Sequence, residues 1–185
     1  MEKVIECELS AKSFRYAIKE VRKYKEDFIK RVDLFVQRLA EAGVEIAKVQ
    51  ISEMSAVLTG ELMSSLGFKP GDVINNGSQW VVYTDCPWAA FVEFGTGFQG
   101  ATNPHPEAEG WAYDVNDRGK AGWWYVCPPE LVGLVEAGTA VRESSDGTLF
   151  IWTNGMPSRP FMHNTALALQ DGNLISEIAK EVFGG

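Results

Sequence analysis

The first part of this sequence combines a regular apolar spacing with an absence of proline, and this combination constrains the fold more than any other feature. No proline occurs between Met1 and Lys69, so nothing there forces a helix to break. Apolar side chains recur in steps of three, four or seven, which place them along one stripe of a helix. We therefore predict a long helix capped by Ser10 or Ser13. The members of the stripe are Phe14, Ile18, Val21, Phe28, Val32, Phe35, Leu39, Ala42, Ile46 and Val49.

This stripe is too long for one small core to cover fully. Two interpretations stay open: the helix folds entirely against its own sheet, or part of the stripe packs on a neighbouring subunit. Gly43 weakens the middle of the segment, so a kink or two consecutive helices are also open.

Beyond Leu66 the pattern changes to the alternation and turn clusters typical of strands. Helical spacing returns from Phe161 to Val182 and is uneven around Gly172. The stretch from Gly95 to Lys120 has no clear period and predicts an irregular loop. The candidate strands are Val4–Leu9, Val73–Ile74, Trp80–Thr84, Trp123–Val126, Leu131–Val135 and Thr148–Thr153.

These patterns together predict one α+β domain over residues 1–185. It has a long N-terminal helix, a small and mostly antiparallel β-sheet, and a C-terminal helix. A Trp/Gly/Pro-rich insertion occupies about residues 100–141.

Composition excludes several classes of protein. With 185 residues, 45% of them hydrophobic, the chain can bury a core, and its formal net charge of -8 argues against specific nucleic-acid binding. No apolar run approaches the roughly 20 residues that cross a bilayer, and no signal peptide is apparent. We expect a protein that is made in the cytoplasm and has no membrane partner. Cys7, Cys86 and Cys127 are odd in number and far apart, which favours reduced thiols over disulfides or zinc.

Candidate catalytic groups are few. Glu93, Asp114 and Asp117 lie near aromatic residues, and paired carboxylates are what a glycoside hydrolase needs. Carboxylates in loops are usually only solvated, however, and His105 and His163 have no neighbours at metal-ligand spacing. We predict no catalytic residue, no metal and no cofactor.

The segment Phe94 to Gly100 contains Gly-Thr-Gly, which superficially resembles a phosphate-binding loop. It lacks both the GxxxxGK(S/T) pattern and the third glycine of GxGxxG. We therefore predict that Gly95 and Gly97 serve a tight backbone turn.

A cluster of aromatic residues in the insertion allows three interpretations. Trp111, Trp123 and Trp124, with Tyr113 and Tyr125, could form a platform for sugar, an anchor at a protein interface, or part of a small core.

Three segments, in order, resemble a known family. Residues 58–66 are similar to a TG-x-L-x-x-S segment that follows a long helix, 88–97 to a YA-x-x-VEFGTG signature, and 153–162 to a G-x-P-A-R-P-F segment before a final helix. Trp88 replaces the usual tyrosine and Ser158 a common alanine. Together the segments resemble the tail-component or neck family of tailed bacteriophages, also described as head-tail connector or tail-completion proteins.

The resemblance implies a structural virion protein, encoded by a phage or a prophage, that forms a subunit of an oligomeric ring at the head-tail junction. Its implied partners are further copies of itself, a head-closure or connector protein, and a tail terminator or tail tube protein, with DNA passing through the lumen. We also expect Arg159 to pair with an acidic residue such as Glu93. The residues singled out for structural or interaction roles are Thr59, Gly60, Glu93, Gly95, Thr96, Gly97, Arg159, Pro160 and Phe161, with Trp111, Trp123 and Trp124 as candidate interface aromatics.

Two alternatives come from other classes. A phage-borne cell-wall-degrading enzyme would use Glu93, and a carbohydrate-binding module would use the tryptophans.

Overall fold

A computed structural model describes residues 4–54, 56, 60–72, 78–114, 121–128, 132–133 and 139–184. The fold is α+β, as predicted, with a long N-terminal helix, small sheets and helices at the C-terminus. Thr59, the predicted strand at 73–74 and most of the one at 131–135 lie outside these residues. The elements in chain order are α1 (Ala11–Glu53), α2 (Glu61–Ser64), β1 (Leu66–Pro70), β2 (Trp80–Thr84), α3 (Ala89–Phe94), α4 (Gly97–Thr102), β3 (Trp123–Val126), β4 (Val141–Glu143), β5 (Leu149–Thr153), β6 (Gly155–Met156), α5 (Phe161–Ala168) and α6 (Gly172–Phe183).

The chain groups into two compact units. Unit 1 comprises Met1–Val44, Gly67–Tyr83 and Leu167–Gly185, and unit 2 comprises Glu45–Leu66 and Thr84–Ala166. Helix α1 contributes its first part to unit 1 and its last part to unit 2.

Helix α1 is one continuous helix of 43 residues, about 65 Å long at 1.5 Å per residue. The amide of Ser13 donates to Ser10 Oγ at 3.2 Å, and the amide of Glu8 donates to Ser13 Oγ at 2.9 Å. This reciprocal cap uses amides that would otherwise lack partners at the helix start. The predicted strand at Val4–Leu9 is wrong: residues 4–8 form no regular element, because this segment supplies the cap instead.

Gly43 does not break the helix, and packing in unit 1 explains why a glycine stands there. A Cβ at this position would lie 3.1 Å from side-chain carbons of both Leu169 and Val82, which is tighter than ordinary van der Waals contact. The absence of a Cβ at Gly43 therefore lets the Leu169 and Val82 side chains approach the helix closely.

Unit 1 packs the C-terminal helix against α1. The ring of Phe183 lies 6.1 Å from that of Phe28 and 5.8 Å from that of Phe35. In the same unit Trp80 Nε1 donates to Asp33 Oδ1 at 3.1 Å, which attaches β2 to the helix. The uneven region predicted around Gly172 is confirmed as the gap between α5 and α6.

Unit 2 contains an antiparallel three-stranded sheet in the order β3-β5-β4. Its register pairs Trp124 with Trp152, and the turn between β4 and β5 is closed by the amide of Ser144 donating to the Thr148 carbonyl at 2.9 Å. The loop predicted from Gly95 to Lys120 is partly wrong, because residues 97–102 form α4.

The buried face of α1 is offset from the apolar stripe read in the sequence. Its core residues are Ala40 and Val44 in unit 1 and Ala47 and Ile51 in unit 2, whereas stripe residues such as Val49 remain exposed. Within the described residues, none of the helices combines the length and apolar character that crossing a bilayer requires.

Candidate functional site

Among the described residues of unit 2, the buried carboxylate is that of Glu93, near the end of α3, with 7% of the residue exposed. Its Oε2 accepts from the amide of Met162 and its Oε1 from the amide of His163, both at 2.9 Å. These amides belong to the first turn of α5, where N–H groups lack helical partners and the helix dipole favours negative charge. Glu93 therefore caps a helix that begins 68 positions further along the chain.

His105 completes the environment of this carboxylate. The residue is 4% exposed, and its Nε2 lies 3.1 Å from Glu93 Oε1. Its Nδ1 accepts from the amide of Glu107 at 2.9 Å, so Nδ1 carries no hydrogen and Nε2 is the nitrogen that donates to Glu93. The His105 ring lies 4.4 Å from that of Phe94 and 5.2 Å from that of His163. The sequence analysis missed this role, because no local motif links His105 to Glu93.

The predicted pairing of Arg159 with Glu93 is wrong. Between these two described residues there is no ion pair, because Glu93 is already occupied by two amides and an imidazole. Arg159 instead joins the segments through its backbone, where its amide donates to the Val92 carbonyl at 2.9 Å, and it lines a cavity.

The second and third segments of the resemblance interlock through their backbones. Thr96 and Gly97 form antiparallel bridges with Met156 and Gly155, respectively. The amide of Met156 also donates to Thr96 Oγ1 at 3.2 Å. Ser158 Oγ donates to the Glu93 carbonyl at 2.6 Å, a bond that the alanine of the similar G-x-P-A-R-P-F segment could not make.

The predicted turn role of Gly95 and Gly97 is confirmed. Both have positive φ, at 80° and 59°. A Cβ on Gly95 would lie 2.7 Å from the Ser158 nitrogen, and one on Gly97 would lie 2.6 Å from the Asn154 oxygen. Only glycine fits both the backbone conformation and the close approach.

A cavity of about 440 Å³ lies beside this junction, within unit 2. All three segments contribute to its lining, and two aromatic residues of the insertion complete it. Arg159 is the one charged side chain among the described lining residues. Burial, and to a lesser degree the nearby Cys127 sulfur, raises the pKa of Tyr125 above its ordinary value. The lining residues are Ala56, Gly60, Leu62 and Met63; Trp88, Val92 and Thr96; Trp123 and Tyr125; and Thr153, Gly155, Met156 and Arg159.

Comparison of this chain with protein-family models, curated proteins and solved structures gave no match.

The remaining predicted residues of the segments lie at helix starts. Gly60 has φ 78° and directly precedes α2. Pro160 directly precedes α5, and its carbonyl accepts from the amide of Asn164 at 2.9 Å. Phe161 is 1% exposed and is one of the two largest fully buried side chains among the described residues, the other being Ile51. These positions support the packing of unit 2.

The insertion tryptophans are divided between three environments. Trp111 stacks on Phe94 with ring centroids 4.7 Å apart and donates from Nε1 to the Gly95 carbonyl at 3.1 Å. Trp124 meets Trp152 edge-on at 5.3 Å across the sheet. Trp123 lines the cavity. The structure thus does not gather the three tryptophans into one platform.

Chemically, the site holds segments together. The Glu93 carboxylate accepts from two amides of α5 and lies against His105, and Glu93 is not among the described residues that line the cavity. Over the described residues, no group of three or more His, Cys, Asp or Glu side chains is arranged to hold a metal ion.

Proposed function

We propose that this chain is a structural virion protein, a subunit of the ring at the neck of a tailed bacteriophage where head and tail join. The observation that carries the proposal is the convergence of the three family-like segments on one junction. Segments that begin near residues 58, 88 and 153 line the same cavity, and the last two are bonded to each other.

This convergence gives the resemblance a physical basis. Along the chain, three sequence patterns look unrelated: a threonine-glycine pair, a glutamate followed by two turn glycines, and an arginine-proline-phenylalanine run. In the fold, Glu93 caps the helix that begins at Phe161. Because Gly95 and Gly97 have no Cβ, the backbone that leads into this helix can pack closely against them. These contacts tie the second segment to the third, and the first segment meets them at the cavity.

The polar groups of the junction favour a scaffold over an enzyme. A general base or nucleophile must reach a substrate proton or carbon, whereas Glu93 is buried and already accepts from three donors. As a neck subunit the chain would contact a head-closure or connector protein on one side and a tail terminator or tail tube protein on the other. DNA would pass through the lumen without specific binding, and no cofactor would be needed.

The test is assembly. We would measure the mass of the purified chain by light scattering, alone and mixed with the neck and tail proteins encoded beside its gene, and image the products by negative-stain electron microscopy. A discrete ring, alone or with a partner, is expected. A chain that stays monomeric with every one of these partners would contradict the proposal.

A second candidate function, the binding of a carbohydrate, rests on the cavity. Trp88, Trp123 and Tyr125 give it aromatic walls, and aromatic faces favour sugar rings. Oligosaccharides that quench tryptophan fluorescence in the unaltered chain, but not in Trp123→Leu, would support this function. Hydrolysis of peptidoglycan that is lost in Glu93→Gln, with folding retained, would instead support the cell-wall-degrading enzyme.

A further inference from the structure

The first half of α1 carries an apolar stripe that the described part of unit 1 covers only in part, at Phe28. Four of its side chains keep about half of their surface exposed: Phe14 at 49%, Ile18 at 51%, Val21 at 54% and Phe28 at 48%. At 3.6 residues per turn they lie on one face. We call these four residues the N-terminal stripe.

The surroundings of the stripe are equally open. Every residue from 21 to 31 is exposed, and the contact of Phe28 with Phe183 marks where α6 meets this helix. A surface helix normally buries its apolar face, and contiguous apolar patches on soluble proteins usually mark interaction sites. The N-terminal stripe is therefore a docking surface that needs a partner.

Charge identifies the partner. Residues 11–34 carry eight Lys and Arg against four Asp and Glu. Among charged residues, Lys25 lies within the stripe and Arg22 lies beside it by helical spacing. Two such stripes facing each other would bring like charges together, which disfavours a symmetric pairing of two α1 helices.

The rest of the chain has the complementary charge. Unit 1 has twelve acidic and twelve basic residues, whereas unit 2 has thirteen acidic against five basic, so the entire net charge of -8 resides in unit 2. Unit 2 also exposes apolar side chains, including Trp88, Phe91 and Phe98 at 42 to 50%. A basic apolar helix and an acidic apolar unit thus occur in the same chain.

We propose that the N-terminal stripe of α1 docks on unit 2 of a second copy of this chain. The contact is head-to-tail, since a different surface of each copy takes part. Contacts of this type close into rings when the rotation between copies permits. The inference rests on the proposed ring function and names the surface that would build it.

The direct test is a photo-crosslinking amino acid placed at position 21 in the full chain, in an equal mixture of isotope-labelled and unlabelled copies. Mass spectrometry of mixed-label products would identify both ends of each crosslink between copies. We expect the second end within 45–66 or 84–166, at high concentration or in the assembly with the neighbouring neck proteins. Crosslinks that run instead to residues 11–34 of the other copy, or to a different protein only, would overturn the proposal.

Pairs of matched variants distinguish the effect of the N-terminal stripe from the effect of a change in net charge alone. Val21→Glu should weaken self-association at least about 100-fold, because it would bury a charge at an apolar contact. Tyr16→Glu, on the opposite side of the helix and also exposed, should leave self-association within about threefold. The double variant Arg22→Glu with Lys25→Glu should weaken self-association about tenfold or more. The double variant Lys23→Glu with Lys30→Glu makes the same charge change on the far face of the helix and should have a smaller effect.

The outcomes distinguish this inference from the proposed function. If rings form with the neck partners and Val21→Glu forms them equally well, the docking surface is wrong and the ring function stands. If neither the unaltered chain nor its mixtures show contacts between copies, both fail. Flotation of the chain with vesicles containing phosphatidylglycerol, lost in Val21→Glu without crosslinks between copies, would assign the stripe to a lipid surface and overturn the proposal.

Discussion

Replacing Glu93 with glutamine tests whether this carboxylate is the structural centre of unit 2. The change keeps the size of the side chain, but it puts an NH2 group in the place of an oxygen. Because Oε1 and Oε2 both accept from amides, whichever way the new side chain turns, a donor will face a donor. The negative charge at the start of α5 is lost as well.

The size of the effect follows from these two losses. Leaving a buried donor without an acceptor costs about 1–3 kcal/mol, and a charge at a helix start contributes about 0.3–1 kcal/mol or more when partly buried. We therefore expect Glu93→Gln to lower the free energy of unfolding by about 2–4 kcal/mol. For a chain of this length this corresponds to a fall in Tm of about 5–12 °C.

The assay is urea unfolding followed by both tryptophan fluorescence and far-ultraviolet circular dichroism, with hydrogen exchange at the amides of Met162 and His163. Glu107→Gln is the matched control, because 76% of the Glu107 side chain is exposed and its Oε1 lies 3.6 Å from His163 Nδ1, which is too far for a strong hydrogen bond. The control should change stability by less than about 0.5 kcal/mol. A Glu93→Gln protein within that same margin, with unchanged exchange at both amides, would refute the assignment of Glu93 as a buried cap.

Two further predictions concern turns and pH. Gly95→Ala should destabilise the protein by about 2 kcal/mol or more, because the new Cβ would overlap backbone atoms at positive φ. Gly172→Ala, where a Cβ meets nothing within 4 Å, should instead stabilise the protein by about 0.5–1 kcal/mol. Thermal unfolding of both variants measures the two effects, and the reverse order of stability would contradict this prediction. Hydrogen bonds from the Ser144 hydroxyl and from Thr148 hold the pKa of Asp146 below its usual range. The pKa of Asp146 is lower in the folded state than in the unfolded state. The stability that Asp146 adds over Asp146→Ala should therefore be complete above about pH 5 and should disappear as the pH falls through the folded-state pKa. Urea unfolding of both proteins from pH 7 to 2.5 tests this, and a difference in stability that stays constant with pH would contradict it.

The elements that the sequence predicted well are those specified by local spacing. Helix α1 follows from apolar residues at steps of three and four and from its serine cap, and strands β2, β3 and β5 follow from short apolar and aromatic runs bounded by turn residues. The failed strand at Val4–Leu9 shows where this reasoning ends, since alternation alone cannot supply a neighbouring strand with which to pair.

The sequence by itself determined the α+β class, the long helix, and the need for glycine at Gly95 and Gly97, because backbone conformation and helix periodicity are local properties. That Glu93 binds the start of α5 and His105 instead of Arg159 depends on the tertiary structure. The amides of Met162 and His163 lie 69 and 70 positions from Glu93, and His105 lies 12 positions away outside any local motif, so no local spacing links these groups. The tertiary structure also decided which face of α1 is buried. Periodicity shows that a face is apolar, but only the packing of the other elements determines whether that face meets the core or is left for another molecule.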